Sequence, residues 1–202
     1  MMLNLIHPDD HGLVTALQAL CKGWWIAGGT PLRWYQQRPA DSDVDLYFDC
    51  QDSYDRMHQR LQQLYDKGLA GTYNQWFNGV RVDRIHTTSN AVTWTMRINR
   101  GKDNEDEYSI QCIKRRFYDD APALLDDFDI TVCQIATDGK RVWTSDDFAR
   151  DVAARRLRFN TLTPNSGKRL VKYWIYGFTP DDDTIQRICD QPQLAGRSDD
   201  DY

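Results

Sequence analysis

The chain has little that would take it to a membrane and nothing that spaces thiols for a metal. No uninterrupted apolar run approaches the ~20 residues a bilayer span needs. The first ten residues, Met1 to Asp10, lack both a basic cluster and an apolar stretch, so no secretory signal is expected. Cysteine is sparse and unpaired in pattern. Cys21, Cys50, Cys112, Cys133 and Cys189 are odd in number and none forms a CxxC pair, which argues against a zinc site and a disulfide framework. Reduced, buried thiols and a cytoplasmic location are the expectation. The histidines (His7, His11, His58 and His86) show no metal spacing. An excess of basic residues is also missing: 25 Lys and Arg face 30 Asp and Glu, a net charge of −5. That excludes a protein that coats nucleic acid nonspecifically. No internal repeat or low-complexity block is present.

What is there suffices for a globular core. The 202 residues are 41% hydrophobic and include seven Trp and ten Tyr. Pro8-Asp9-Asp10 opens an amphipathic helix through Leu13, Leu17 and Leu20. Gln51 to Lys67 reads as a second helix, capped near Asp52 or Ser53 and stopped by Gly68. Its Tyr54, Met57, Leu61, Leu64 and Tyr65 recur at helical spacing and are expected in the core. Thr72–Phe77, Val80–Thr87 and Ala91–Ile98 alternate as strands, with a hairpin turn at Asn78-Gly79. Asn99 to Glu107 reads as a charged loop, and Tyr108–Ile113 as a strand. From Ser145 the pattern turns helical, over 146–155, 166–176 and 181–190. The organisation expected is a head over residues 1–144, a small helical extension over 145–192 and a disordered tail over 193–202.

The chemistry concentrates between two short segments. Trp24-Trp25-Ile26-Ala27 reads as a strand, Gly28-Gly29-Thr30 as a turn into a short helix, and Val44–Phe48 as a second strand. Side chains alternate along a strand, so Asp43 and Asp45 share one face. Two carboxylates on one face repel unless a cation lies between them. Hard oxygen donors of this kind suit Mg²⁺, which is commonly held by one or two carboxylates plus substrate phosphates. Glycines without Cβ let backbone amides approach a phosphate, and a helix starting there adds the positive end of its dipole. Thr30 could cap that helix, with Pro31 in its first turn. Either motif alone is weak, because most Gly-Gly pairs mark ordinary turns and most Asp-x-Asp pairs a solvated strand end. Together, in this order, they fit attack on a nucleoside triphosphate.

The segment from Gly28-Gly29-Thr30 to Asp43-Val44-Asp45 resembles the signature of the DNA polymerase β-like nucleotidyltransferase superfamily. The resemblance covers about residues 22 to 178 and extends into Arg155-Arg156-Leu157-Arg158 and Ser166–Trp174, similar to the basic helical part of poly(A) polymerases and CCA-adding enzymes. It implies an α+β nucleotidyltransferase fold, a mixed or antiparallel sheet flanked by helices with a short C-terminal helical extension, and the pattern along the chain places the helices of the central part on one side. The long helical body of CCA-adding enzymes is missing, which points to a minimal member.

The superfamily uses a third carboxylate on a later strand. The resemblance assigns it to Asp129, at the start of a strand expected over Phe128–Ala136 and turned at Asp138-Gly139. Asp129 would be third ligand and general base. Its rivals are Asp126 and Asp127, which also read as a helix end and a solvated loop, and Asp83, which also reads as a cross-strand salt bridge. Mg²⁺ or Mn²⁺ on Asp43, Asp45 and Asp129, with a nucleoside triphosphate as co-substrate, is the implied chemistry. Gly28, Gly29 and Thr30 would grip phosphates. Arg33 could reach a phosphate or lie on the surface, and Lys168, Lys172 and Tyr173 could approach the triphosphate or base. Arg155, Arg156 and Arg158 would hold an RNA 3′ end or the triphosphate. The acceptor could also be a protein, a small molecule or a tRNA end, and a catalytically silent binding module of the same fold is the non-enzymatic alternative.

Overall fold

The computed structural model describes residues 5–39, 42–69, 79–101 and 104–191. The strand expected over Thr72–Phe77 and the tail expected over 193–202 lie outside them.

A seven-stranded sheet organises the chain. Its strands are β1 (Trp24–Ala27), β2 (Val44–Phe48), β3 (Val80–Thr87), β4 (Ala91–Gly101), β5 (Asn104–Ile113), β6 (Ile135–Thr137) and β7 (Val142–Thr144), in the spatial order β3-β4-β5-β2-β1-β6-β7. Every neighbouring pair is antiparallel except β2 and β5, which run parallel with Asp45 opposite Gln111. β1 lies inside the sheet between β2 and β6, and all four of its residues are buried.

Helices α1 (His11–Leu20), α2 (Gly29–Tyr35) and α3 (Gln51–Leu69) pack against one face. Leu13, Val14 and Leu17 of α1 and Met57 and Leu61 of α3 enter the main core with Trp34, Trp94 and Phe48. Gly68 does not stop α3, and the helix begins at Gln51, one residue before the expected cap. The other face of the sheet is covered as well, so the expected one-sided arrangement is incomplete. A short helix α4 (Ala121–Asp126) places Leu124 and Leu125 against Trp25, Ala27 and Ala136 in a second cluster. The sequence then continues through α5 (Asp146–Ala153), α6 (Ser166–Ile175) and α7 (Asp182–Cys189). Phe148, Leu157, Phe159, Tyr173 and Phe178 from this part join the main core.

Two sequence expectations are corrected here. The run Phe128–Ala136 is not one strand. Ile130 makes a single bridge to Phe159, Thr131–Cys133 forms a 3-10 turn, and β6 starts only at Ile135. Asp129 therefore lies in a loop. A short β-branched apolar run satisfies a buried turn as well as a strand, because periodicity cannot separate them. The charged segment Asn99–Glu107 is not a free loop either. Its described residues, 99–101 and 104–107, continue the β4–β5 ladder, where Arg97 stands opposite Glu107 and its guanidinium lies 3.0 Å from Asp83. Charges opposite each other across strands pair rather than repel.

Arg156 and Arg158 are both engaged by a buried carboxylate of this fold. Asp151 of α5 is fully buried and accepts hydrogen bonds from Thr131 Oγ1 (2.6 Å), Arg156 Nε (2.7 Å) and Arg158 Nε (3.2 Å). Arg158 also pairs with Asp147 at 2.7 Å. Burial opposes ionisation of Asp151, but the hydrogen bonds from Thr131 and Arg156 and the nearby arginine charges hold its carboxyl below the usual range. Arg155 sits outside this cluster, exposed, at φ +49°.

Among the described residues, no helix is long and apolar enough to cross a membrane.

Candidate active site

The site starts where β1 runs out. Gly28 has φ +79° and ψ −125°, a region only glycine adopts readily, and it is the N-cap of α2. Its amide donates to the Ile135 carbonyl at 3.0 Å, tying the turn to β6. A Cβ at Gly28 would come within 2.9 Å of Phe128 Cε1, and one at Gly29 within 3.7 Å of the Tyr173 hydroxyl. The turn is thus held between two aromatic side chains. Gly28→Ala combines backbone strain with this contact. It is expected to destabilise the fold by about 1–3 kcal/mol, read as a lowered urea midpoint with an unchanged slope.

Thr30 does not cap α2. It is buried, and its hydroxyl donates to the Asp43 carbonyl at 3.2 Å, which fastens the start of β2 beside the glycine turn. Arg33 does not reach a phosphate. α2 buries Thr30 through Trp34, and the Arg33 guanidinium is spent on Asp10 at 2.7 Å, with both side chains almost wholly buried. Trp34 Nε1 donates to the same carboxylate.

Asp43 and Asp45 project from the same face of β2, Asp43 exposed and Asp45 half-buried. Burial, then the charge of Asp43, push the Asp45 carboxyl up to about 7, against the opposing pull of Lys172 and Arg169. A carboxyl raised this far beside a second carboxylate is what a divalent cation would relieve, so the donor set fits Mg²⁺ or Mn²⁺. The shift has a sign for stability. Between about 4 and 7 the folded chain binds a proton at Asp45 that the unfolded chain has released, so stability falls as pH rises through this window. Asp45→Asn removes that penalty. It is expected to raise the melting temperature of the metal-free protein at pH 8 by roughly 3–8 °C and to change it little at pH 4, as read by circular dichroism.

Helix α6 brings the positive charge. Lys172 and Arg169 both act on Asp45, whereas Lys168 is exposed. Tyr173 is buried, and its hydroxyl accepts from the Cys133 thiol at 2.8 Å and hydrogen-bonds Arg169. One turn on, Tyr176 packs edge-on to Tyr173 at 5.8 Å and carries the Arg38 guanidinium 3.6 Å above its ring. The carboxylate pair, the glycine turn and the α6 residues Lys172 and Tyr173 therefore belong to one site.

Asp129 does not join the carboxylate pair as a third ligand. Among the described residues, no three acidic, His or Cys side chains converge on a point that could hold a metal. Both Asp129 oxygens instead accept from Arg169 Nη1 at 2.6 Å. The position beside Asp45 on the neighbouring strand is the neutral Gln111, whose Nε2 lies 3.5 Å from Thr93 Oγ1. Asp127 accepts from Tyr118 (2.6 Å) and Arg116 (2.6 Å), and Asp83 from Arg81 (2.8 Å), so those rivals are engaged too. Gln111, Tyr176 and Arg38 lie around this candidate site and were not singled out by the sequence, whereas Arg169 belongs to the basic excess over residues 140–172.

This architecture is a nucleotidyltransferase fold. It aligns with the Thermotoga maritima CCA-adding enzyme complexed with tRNA at a TM-score of 0.58 and 12% identity, covering 93% of this chain and 43% of that one. A tRNA-processing enzyme in an apo form aligns at a TM-score of 0.49 and 15% identity, over 91% of this chain and 46% of its own. The chain spans less than half the length of these structures. A comparison with the curated proteins finds no match. By its sequence the chain belongs to the Gad2 family, described as Gabija anti-defense 2 family protein, whose model matches residues 2–155.

Proposed function

We propose that the protein is a divalent-cation-dependent nucleotidyltransferase that moves a nucleoside monophosphate from a nucleoside triphosphate to an acceptor hydroxyl. The observation that carries this reading is the Asp43–Asp45 pair, tied beside the Gly28-Gly29 turn by the Thr30–Asp43 hydrogen bond and within electrostatic reach of Arg169 and Lys172. Asp43 and Asp45 would hold Mg²⁺, which when bound supplies charge neutralisation for the triphosphate and lowers the pKa of the acceptor hydroxyl. The glycine turn offers the β- and γ-phosphates an approach free of side chains. Lys172 and Arg169 stabilise charge that builds on the leaving pyrophosphate. The acceptor oxygen attacks the α-phosphorus, the bond to the β-phosphate oxygen breaks, pyrophosphate leaves, and the acceptor proton passes to solvent at the open, Asp43 side.

An RNA 3′ hydroxyl is the first acceptor, because the fold is shared with a tRNA-bound CCA-adding enzyme. The second is a component of the Gabija defence, nucleotidylated on protein or nucleic acid. Two observations favour it: Arg156 and Arg158 are occupied by Asp151, and the family description names Gabija anti-defense. The test is incubation with each α-labelled triphosphate and Mg²⁺, with an RNA pool in one arm and purified Gabija components in the other, resolved on gels. Label on RNA supports the first acceptor, and label on a Gabija component supports the second. No label and no thermal protection with any of the four triphosphates would leave a silent binding module of the same fold.

A further inference from the structure

We propose that Asp129 is a positioning residue for Arg169, and that Arg169, pinned between Asp129 and Tyr173, is the main triphosphate-binding side chain of the site. The inference deepens the nucleotidyl-transfer reading and rests on it.

Asp129 is fixed through its backbone. Its carbonyl accepts from the Asn160 amide at 2.7 Å, and the next residue, Ile130, bridges to Phe159. Its side chain is 12% exposed, and both oxygens face a single guanidinium nitrogen at 2.6 Å. A carboxylate used this way is turned toward a cationic side chain rather than toward a second carboxylate. Beside Asp45 the sheet offers the amide of Gln111 in place of another acid.

Arg169 is held from the other side as well. It hydrogen-bonds the Tyr173 hydroxyl, which in turn accepts from Cys133 and lies 3.7 Å from where a Gly29 Cβ would stand. Asp129, Arg169, Tyr173 and Cys133 thus form one connected run that ends under the glycine turn. Arg169 also acts electrostatically on Asp45. The guanidinium is therefore held by Asp129 beside Tyr173, which touches the glycine turn, and within electrostatic reach of Asp45. A planar guanidinium binds phosphate oxygens through paired N–H groups, which a lysine cannot reproduce. Fixing its orientation in advance lowers the cost of ordering it when the nucleotide arrives.

The test separates cation binding from triphosphate binding. Mn²⁺ affinity is measured on the free protein by electron paramagnetic resonance. Affinity for α,β-methylene triphosphate analogues of the four nucleosides is measured by calorimetry in EDTA. Asp129→Asn is expected to keep Mn²⁺ affinity within about twofold and to weaken the analogue about tenfold. Arg169→Ala should weaken it at least as much, and the double variant no further than Arg169→Ala alone. Arg169→Lys, which leaves Asp129 in place if Asp129→Asn does not fold, should lose analogue affinity while keeping Mn²⁺. A fall in Mn²⁺ affinity for Asp129→Asn as large as that for Asp43→Asn would make Asp129 a cation ligand and overturn the inference. So would wild-type analogue affinity in Asp129→Asn or Arg169→Lys. Wild-type protein that binds neither Mn²⁺ nor any analogue overturns the nucleotidyl-transfer reading, and this inference with it.

Discussion

Asp45→Asn should cost nucleotidyl transfer at least about 10²–10³-fold while leaving the fold intact. The substitution keeps the shape of the side chain and removes one charge from the pair. β2 is held by backbone ladders to β1 and β5, and neither depends on the carboxylate. Asp43→Asn should act alike, because either oxygen set alone leaves a triphosphate-bound cation half-coordinated. The two losses should not multiply, since both remove the same unit. Initial rates with labelled triphosphate, alongside melting curves, check this. Activity within tenfold of wild type in either variant would remove the pair from the chemistry.

Asp10→Ala should be the most damaging single change to stability, at about 3–5 kcal/mol, or a fall in melting temperature on the order of 10 °C. The pair it breaks is buried, with Arg33 at 1% and Asp10 at 5% side-chain exposure. Among the described residues, Arg33 Nε and Nη1 already have no hydrogen-bond partner. Without Asp10 the guanidinium would lose its buried ion-pair partner, and Trp34 Nε1 would lose its acceptor. Replacing the pair together, as Asp10→Leu with Arg33→Met, should recover much of the loss, because no stranded charge remains. Urea melts of the three variants test the claim. A change below about 1 kcal/mol in Asp10→Ala would mean that water reaches Arg33.

Arg33 also shows where the sequence stops informing. α2 is seven residues long and buries five in succession, so no apolar stripe marks which side chains point inward. Its ion-pair partner lies 23 residues upstream in another element. Arg156 and Arg158 follow the same logic: they read as a free basic cluster because Asp151 meets them only after α5 and the following chain have packed. Asp129 was misplaced onto a strand because Ile130, Thr131, Val132 and Cys133 are as compatible with a buried 3-10 turn. By contrast, β1, the Gly28-Gly29 turn, α2 and β2 were legible, since glycine, a buried apolar run and alternating carboxylates each impose a local geometry. So was the β6–β7 turn, where Asp138 Oδ1 accepts from the amides of Lys140 and Arg141 and Gly139 takes φ +83°. The shared helical spacing of Lys168, Lys172 and Tyr173 was readable in the sequence, but the pairing of Arg169 with Asp129 required the fold.

One further consequence comes from the way α6 is attached. Arg156 and Leu157 pair in parallel with Thr179 and Pro180, and the Thr179 amide donates to the Arg155 carbonyl at 2.7 Å. The excursion bearing α6 is therefore clasped at its base, and Phe159 and Phe178 anchor both ends in the core. A cationic arm fastened at both shoulders is braced where a free flap would not be. For the transfer proposed above, the expected consequence is a turnover that does not depend on that arm opening.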